Sequence, residues 1–192
     1  GANLSGTNAI LGGISGPVDF RGVNLAGVSF PSSDLSAAQL DGTTVLSAQV
    51  IDPATGQMTQ QGVNLSGTNA VLTALPGNID FRGVNLSGVS FQNSDLSGAQ
   101  FDANTVFSYQ NPNTSQQEGV NLSGTNAMLT GISGAVDFRG VNLAGVSFSA
   151  SDLSSAIFDQ TTIFSLFDPN TGQQQGANLS GTNAILGGIS GP

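Results

Sequence analysis

The sequence contains no cysteine, histidine, tryptophan or lysine, and its only cationic side chains are three arginines. Each absence removes a class of chemistry. Without His or Cys there is no Ser/His/Asp triad, no thiolate nucleophile and no ordinary zinc, copper, haem or iron–sulfur centre. Without Lys there is no phosphate-loop lysine, no Schiff base and no Lys–Asn isopeptide cross-link. Three Arg in a chain of net charge −9 cannot neutralise a phosphate backbone, so direct nucleic-acid binding is not expected. No apolar run approaches the ~20 residues of a membrane span, so membrane insertion is not expected either. The expectation is a protein with no cofactor and no enzymatic activity.

Charged residues make up only 8% of the chain, against about 25% in an ordinary domain, so the acidity is dilute. The polarity comes from Asn, Ser, Thr, Gln and 27 Gly; the apolar part is Leu, Val, Ala, Ile and 11 Phe. These residues are arranged in repeats. The phrase NLSGTNA begins at Asn3, Asn64, Asn121 and Asn178, and DFRGVNL begins at Asp19, Asp80 and Asp137. The long units are therefore residues 1–61, 62–118 and 119–175, with a partial fourth at 176–192 that copies residues 1–17. No capping unit is visible at either end, so the sequence is expected to be a window from a longer array that resumes with a segment like VDFRGVNL.

Within each unit the large apolar residues recur every five positions: Leu4, Ala9, Ile14, Phe20, Leu25, Phe30, Leu35, Leu40 and Val45 in the first. The second gives Leu65, Ala70, Leu75, Phe81, Leu86, Phe91, Leu96, Phe101 and Val106; the third gives Leu122, Ala127, Ile132, Phe138, Leu143, Phe148, Leu153, Phe158 and Ile163. Five matches neither the 3.6 of a helix nor the 2.0 of a strand, so the chain must turn a corner about every five residues. Four corners close a square, and successive coils then stack by backbone hydrogen bonds ~4.8 Å apart. One irregular segment per unit, residues 46–61, 107–118 and 164–175, carries Asx-Pro turns at Asp52-Pro53, Asn111-Pro112 and Asp168-Pro169 and reads as a hairpin excursion.

Stretches such as VDFRG-VNLAG-VSFPS-SDLSA-AQLDG, residues 18–42, with their copies from Ile79 and Val136, resemble the pentapeptide-repeat family and its motif A(D/N)LXX. The resemblance implies an all-β, right-handed quadrilateral β-helix. It also brings a functional precedent, since some members resemble B-form DNA in shape and charge and inhibit DNA gyrase.

Two sets of residues are candidate sites. Arg21, Arg82 and Arg139 each precede by twenty residues an Asp at the equivalent place, Asp41, Asp102 and Asp159, and structural ion pairs one coil apart are expected. After each Ala centre come two aliphatics, Ile10-Leu11, Val71-Leu72, Met128-Leu129 and Ile185-Leu186, expected to form an exposed stripe along one face. The unit's own hairpin, or else a neighbouring solenoid, would cover that stripe. The single Asp residues before the centres lack the convergent spacing of a calcium loop, and the DPNTG turn needs no calcium to explain it. The sequon Asn-Leu-Ser at Asn3, Asn64, Asn85, Asn121 and Asn178 falls on ladder positions and is taken as chance.

Every residue with chemical potential recurs in each unit, as expected of a unit kept for stacking. The reading is a non-enzymatic structural module of an extracellular or cell-surface fibre, stalk or adhesin. Its expected partners are neighbouring repeats or further copies in a homo-oligomer or filament. The alternative is a DNA-mimicking inhibitor of a type II topoisomerase. Against it, −9 spread over nine or ten expected coils is about one charge per 5 Å of axis, where a duplex carries one per ~1.7 Å.

Overall fold

An Asn or Asp placed just before an inward-facing apolar residue bends the backbone locally, because its side-chain oxygen accepts the N–H two residues on. Asn24 Oδ1 takes the Ala26 N–H at 3.1 Å, Asp34 that of Ser36 at 3.0 Å, and Asn64 that of Ser66 at 3.0 Å. Asn85, Asp95, Asn121, Asn142, Asp152 and Asn178 do the same. The following glycine then completes the corner; Gly27, for example, lies at φ 77°, a conformation that costs a residue with a Cβ more than it costs glycine.

The computed structural model describes residues 1–51, 55–75, 78–92, 94–112, 114–168 and 171–186, and among them the chain is all β and turn. The named strands are β1 (Ser47–Ile51), β2 (Met58–Gly62), β3 (Val71–Thr73), β4 (Ser90–Gln92), β5 (Ser108–Gln110), β6 (Gln117–Gly119), β7 (Met128–Thr130), β8 (Ser147–Ser149), β9 (Ser165–Asp168) and β10 (Gln173–Gly176). Between them run parallel bridges spaced by about one coil, such as Asn3 to Asn24 to Val45, Asp19 to Gln39, and Asn64 to Asn85 to Val106. These rungs are the four faces of a quadrilateral β-helix.

The hairpins β1–β2, β5–β6 and β9–β10 are antiparallel and leave the coil once per unit. Where the chain returns, the ladder has moved on by one face: Asn64 pairs with Ser29, not with Val45, and Asn121 pairs with Ser90, and Asn178 with Ser147. Each unit therefore occupies nine faces, two full coils plus one, and equivalent residues of successive units are rotated by a quarter turn. The described chain makes about seven coils, fewer than the nine or ten expected, because the hairpin residues lie outside the stack.

Two register expectations are corrected. The centres at the end of each unit are Leu46 and Phe107, 2% and 1% exposed, with Phe164 partly buried, while Val45, Val106 and Ile163 point outward. The extra residue is absorbed by a turn in which the Asp41 carbonyl accepts the Thr44 N–H, and the Thr44 hydroxyl reaches down to the Phe20 carbonyl at 3.0 Å. Thr105 and Thr162 hold Phe81 and Phe138 in the same way. In the NLSGTNA phrase the centre is Leu72 or Leu129, paired with Phe91 or Phe148, and the Ala two residues earlier fills the narrower inward position. Burying a leucine removes more apolar surface from water than burying an alanine, so the larger side chain takes the centre.

The core is one apolar column. Phe81 stacks on Phe101 at 5.3 Å and Phe138 on Phe158 at 5.4 Å, as one-coil neighbours on a face. Phe20–Phe30, Phe81–Phe91 and Phe138–Phe148 meet edge to face across the interior. Phe107 links Phe101 to Phe138 at 5.8 and 5.2 Å, so the aromatic stack follows the quarter turn from one unit to the next. Phe138, fully buried among three rings, is the most committed of these. Phe138→Ala is expected to cost about 3–5 kcal/mol in equilibrium urea unfolding, whereas Val106→Ser, on the outside, is expected to fall within about 0.5 kcal/mol of the parent.

Candidate interaction surface

The arginines pair within their own pentad, not one coil up. Arg21 forks onto Asp19 with Nε to Oδ1 at 2.9 Å and Nη2 to Oδ2 at 2.7 Å, and its backbone N–H also bonds Oδ1. Arg82–Asp80 and Arg139–Asp137 repeat this geometry. The expected partners are otherwise engaged: Asp41 accepts the N–H and hydroxyl of Thr43, Asp102 accepts the N–H of Asn104 and of Gly83, and Asp159 accepts from Thr161. They form the six-residue corner, and contribute to the arginines only a weak attraction at a distance. The i, i+2 pair wins because the Asx bend already aims the carboxylate at the side chain two residues on, and no extra rotamer must be fixed.

The bonds from the Arg21 side chain, with its backbone N–H in second place, lower the Asp19 pKa from 3.8 to about 2. Asp34 and Asp152 are lowered by the backbone N–H groups of Ser36 and Ser154, and Asp41 by Thr43.

The hairpin roots lock onto these ion pairs. Ser47 Oγ donates to the Arg82 carbonyl, and Gln60 Nε2 donates to Ser47 Oγ at 2.6 Å and Asp80 Oδ2 at 3.4 Å. Ser108, Gln117, Asp137 and Arg139 repeat the arrangement in the next unit. The return strand must pass close to the coil: a Cβ on Gly62 would lie 2.3 Å from the Gly83 backbone, which only glycine avoids. Sequence reasoning missed this clasp, whose one legible signal was the Gln-rich return before each Gly.

The aliphatic stripe does not form. Leu72 and Leu129 are core and Leu11 is partly buried against it, while Ile10, Met128, Ile185 and Leu186 are exposed and Val71 is half-exposed. The outward members sit on successive faces, because the units turn. Nor do the hairpins cover them. β1 lies back along the stack so that Val50 rests near Gly6, and Ile10 stays 70% exposed. Asp52 and Pro53 lie outside the described residues, as do Pro169 and Asn170 of the DPNTG sequence considered for calcium.

Among the described residues no three acidic side chains converge as metal ligands would, and no helix is long and apolar enough to cross a membrane. The Arg–Asp forks and the bonds from threonine hydroxyl to carbonyl recur in all three full units.

The pentapeptide-repeat family model matches residues 18–48, 77–103 and 134–163, with eight copies. The chain belongs to the pentapeptide-repeat family, and its four-faced coil is the right-handed quadrilateral β-helix of that family. Comparison with curated proteins finds no match. Among solved structures it is similar to full-length QnrB1, a plasmid-mediated fluoroquinolone resistance protein, at 19% identity over 79% of this chain and 81% of that one, with a TM-score of 0.31. It is also similar to a trypsin-treated QnrB1 variant, at 16% identity over 89% and 84%, with a TM-score of 0.28. At such scores these likenesses say nothing of function.

Because the folded pKa of Asp19 is depressed, its contribution to stability is present above the ordinary carboxylate range and is lost as pH falls towards about 2. Replacing Arg21 by Gln is expected to return the Asp19 titration, followed by carboxyl NMR, most of the way to 3.8. An Asp19 that still titrates near 2 in R21Q would show the backbone N–H to be the dominant partner.

Proposed function

We propose that this chain is a non-enzymatic scaffold: a stiff β-solenoid that acts as a structural and binding module of an extracellular or cell-surface fibre, stalk or adhesin. The observation that carries the reading is the occupation of the polar side chains. The carboxylates of Asp19, Asp34, Asp41 and their copies cap turns or hold arginines, and the buried Thr44, Thr105 and Thr162 tie one coil to the next. A side chain already spent on holding the coil is not free to turn over a substrate. An extended ladder without disulfides also suits a load-bearing stalk, since every coil is bonded to the coils beside it.

A second reading, a DNA-mimicking inhibitor of a type II topoisomerase, draws on the family and on the net charge of −9. The quarter-turn rotation favours it to this extent, that Asp34, Asp95 and Asp152 wind around the axis as backbone phosphates do. Charge density opposes it. Over about seven coils of ~4.8 Å the net charge amounts to about one per 4 Å, less than half that of a duplex. That net figure already counts the three acids paired with arginine.

A gyrase supercoiling assay separates the two readings. The purified chain is expected to leave supercoiling unchanged at equimolar ratio, and in its own cell the parent protein is expected to be cleaved by protease added outside. Inhibition of supercoiling together with protection from external protease would replace the scaffold reading with the mimic.

A further inference from the structure

In a chain built of repeats, residues needed for stacking recur in every unit, so residues that occur once and yet meet in space call for another explanation. Two do so here. Tyr109 is the only tyrosine; the corresponding hairpin positions, next after Ser47 and Ser165, hold Ala48 and Leu166. Pro31 follows Phe30 where the later units have Gln92 and Ser149. They stand 78 positions apart in the sequence, but the fold-back of β5 over the coil brings both to the wall of one cleft of about 430 Å³.

The exposed apolar members of that lining are the Pro31 and Tyr109 rings, the Phe30 ring being buried in the core, and Ser29, Ser32 and Asn64 are polar members of it. The Asn64 carbonyl oxygen is engaged by Ser66, which leaves its amide N–H groups facing out as donors. The hydroxyls of Ser29, Ser32 and Tyr109 make no hydrogen bond within the described residues. The half-buried tyrosine is held by strand pairing of β5 with β6, opposite Glu118, and by the Asn111 amide donating to Glu118 at 2.7 Å. It is therefore presented ready-made and need not be ordered by a ligand.

We propose that this cleft binds a neutral saccharide. A ring with an apolar body, uncharged donors and acceptors around it, and no cation within the lining is the chemistry that recognises a sugar: C–H faces lie on the aromatic and proline rings while hydroxyls bond the rim. An anionic glycan would be repelled by a chain of net charge −9 that offers no free arginine among the described residues. The inference deepens the surface-module reading and rests on it only for where the ligand is met. Loss of sugar binding by the purified chain would remove the cleft alone, and absence from the cell surface would remove that reading alone.

One tyrosine and no tryptophan make Tyr109 its own reporter, since intrinsic emission comes from the cleft itself. Titration with maltohexaose, cellohexaose and chitohexaose is expected to change that emission saturably for at least one of them, and polygalacturonate is expected to leave it unchanged. Replacing the two unique residues by what other units carry, Tyr109→Leu and Pro31→Gln, keeps the coil consensus. Each is expected to weaken binding about tenfold by calorimetry, with Tyr109→Phe staying within about threefold. Exposed Phe167→Ser should have no effect. The proposal is overturned if none of the three neutral sugars binds, or if the Tyr109→Leu chain, folded by circular dichroism, binds as tightly as the parent.

Discussion

The bond from an Asx side chain to the N–H two residues further on is the interaction from which the rest of this structure follows. It satisfies a corner N–H that the ladder cannot reach, and it fixes the direction in which the chain leaves the face. The backbone groups of the centre and its neighbour are then left pointing along the axis, where Leu25 N–H reaches the Val45 carbonyl at 2.8 Å and Asn24 N–H the Ala2 carbonyl at 3.0 Å. Inward apolar burial alone would tolerate many loop shapes; the capped corner selects one and repeats it. It also explains why arginine can be placed immediately after the centre in Asp-Phe-Arg. The carboxylate that caps the Arg N–H already lies beside the guanidinium, and one Asp serves both.

Nine faces per unit have a wider effect than the hairpins themselves. A feature that recurs once per unit cannot build a flat row, because each copy is turned a quarter of the way round and raised by about 11 Å. This is why the outward aliphatics stay scattered. Ile10, 70% exposed, and Ile185, 64% exposed and beside Ile157, belong to no common row along the molecule. For the same reason the threonines form no regular array, and the acids surround the axis on all sides. Any partner that recognises more than one unit must wrap around this molecule, and a partner that lies flat on one side meets equivalent residues only every fourth unit.

Much of this was legible in the sequence, and the failures are local. The five-residue recurrence of Leu25, Phe30, Leu35 and Leu40 revealed the coil directly, because each of these side chains is large and each is buried. Reading failed where two apolar residues stood close enough to compete for one centre. Ala70 and Leu72 are both inward, and periodicity alone selected the one in step, although the larger side chain had more to gain from burial. Val45 and Leu46 posed the same problem, and Thr44 decided it, since its hydroxyl takes a carbonyl of the coil below and shifts the next centre by one. The quarter turn could not be read at all. It depends on which rung Asn64 meets after the hairpin, and hairpin length does not determine that. The pairing of Arg21 was misjudged because the coil period offered Asp41 as a partner while the capping bond that serves Asp19 was left out of account.

The rotation has a steric origin that connects the hairpin to the coil. β1 does not project outward; it lies back along the stack, so that Val50 comes to rest near Gly6, two coils below its own root at Leu46. β5 does the same, with Tyr109 beside Ser66 and Gly67 two coils below Phe107. If each unit occupied eight faces, the surface two coils below every root would already hold the root of the preceding hairpin, and the two could not both lie flat. One additional face moves each hairpin to the next corner, where the short SG turn at the start of its own unit offers a surface without bulky side chains. Gly6 and Gly67 make that turn at positive φ, 70° and 66°, and Gly62 and Gly119 let the returning strand pass against the coil backbone at a distance no Cβ would permit. The cleft beside Tyr109 is a product of this arrangement. A hairpin laid over a corner roofs whatever lies beside that corner, and the hairpin of the second unit brings the chain's one tyrosine over a cleft that Pro31 of the first unit also lines.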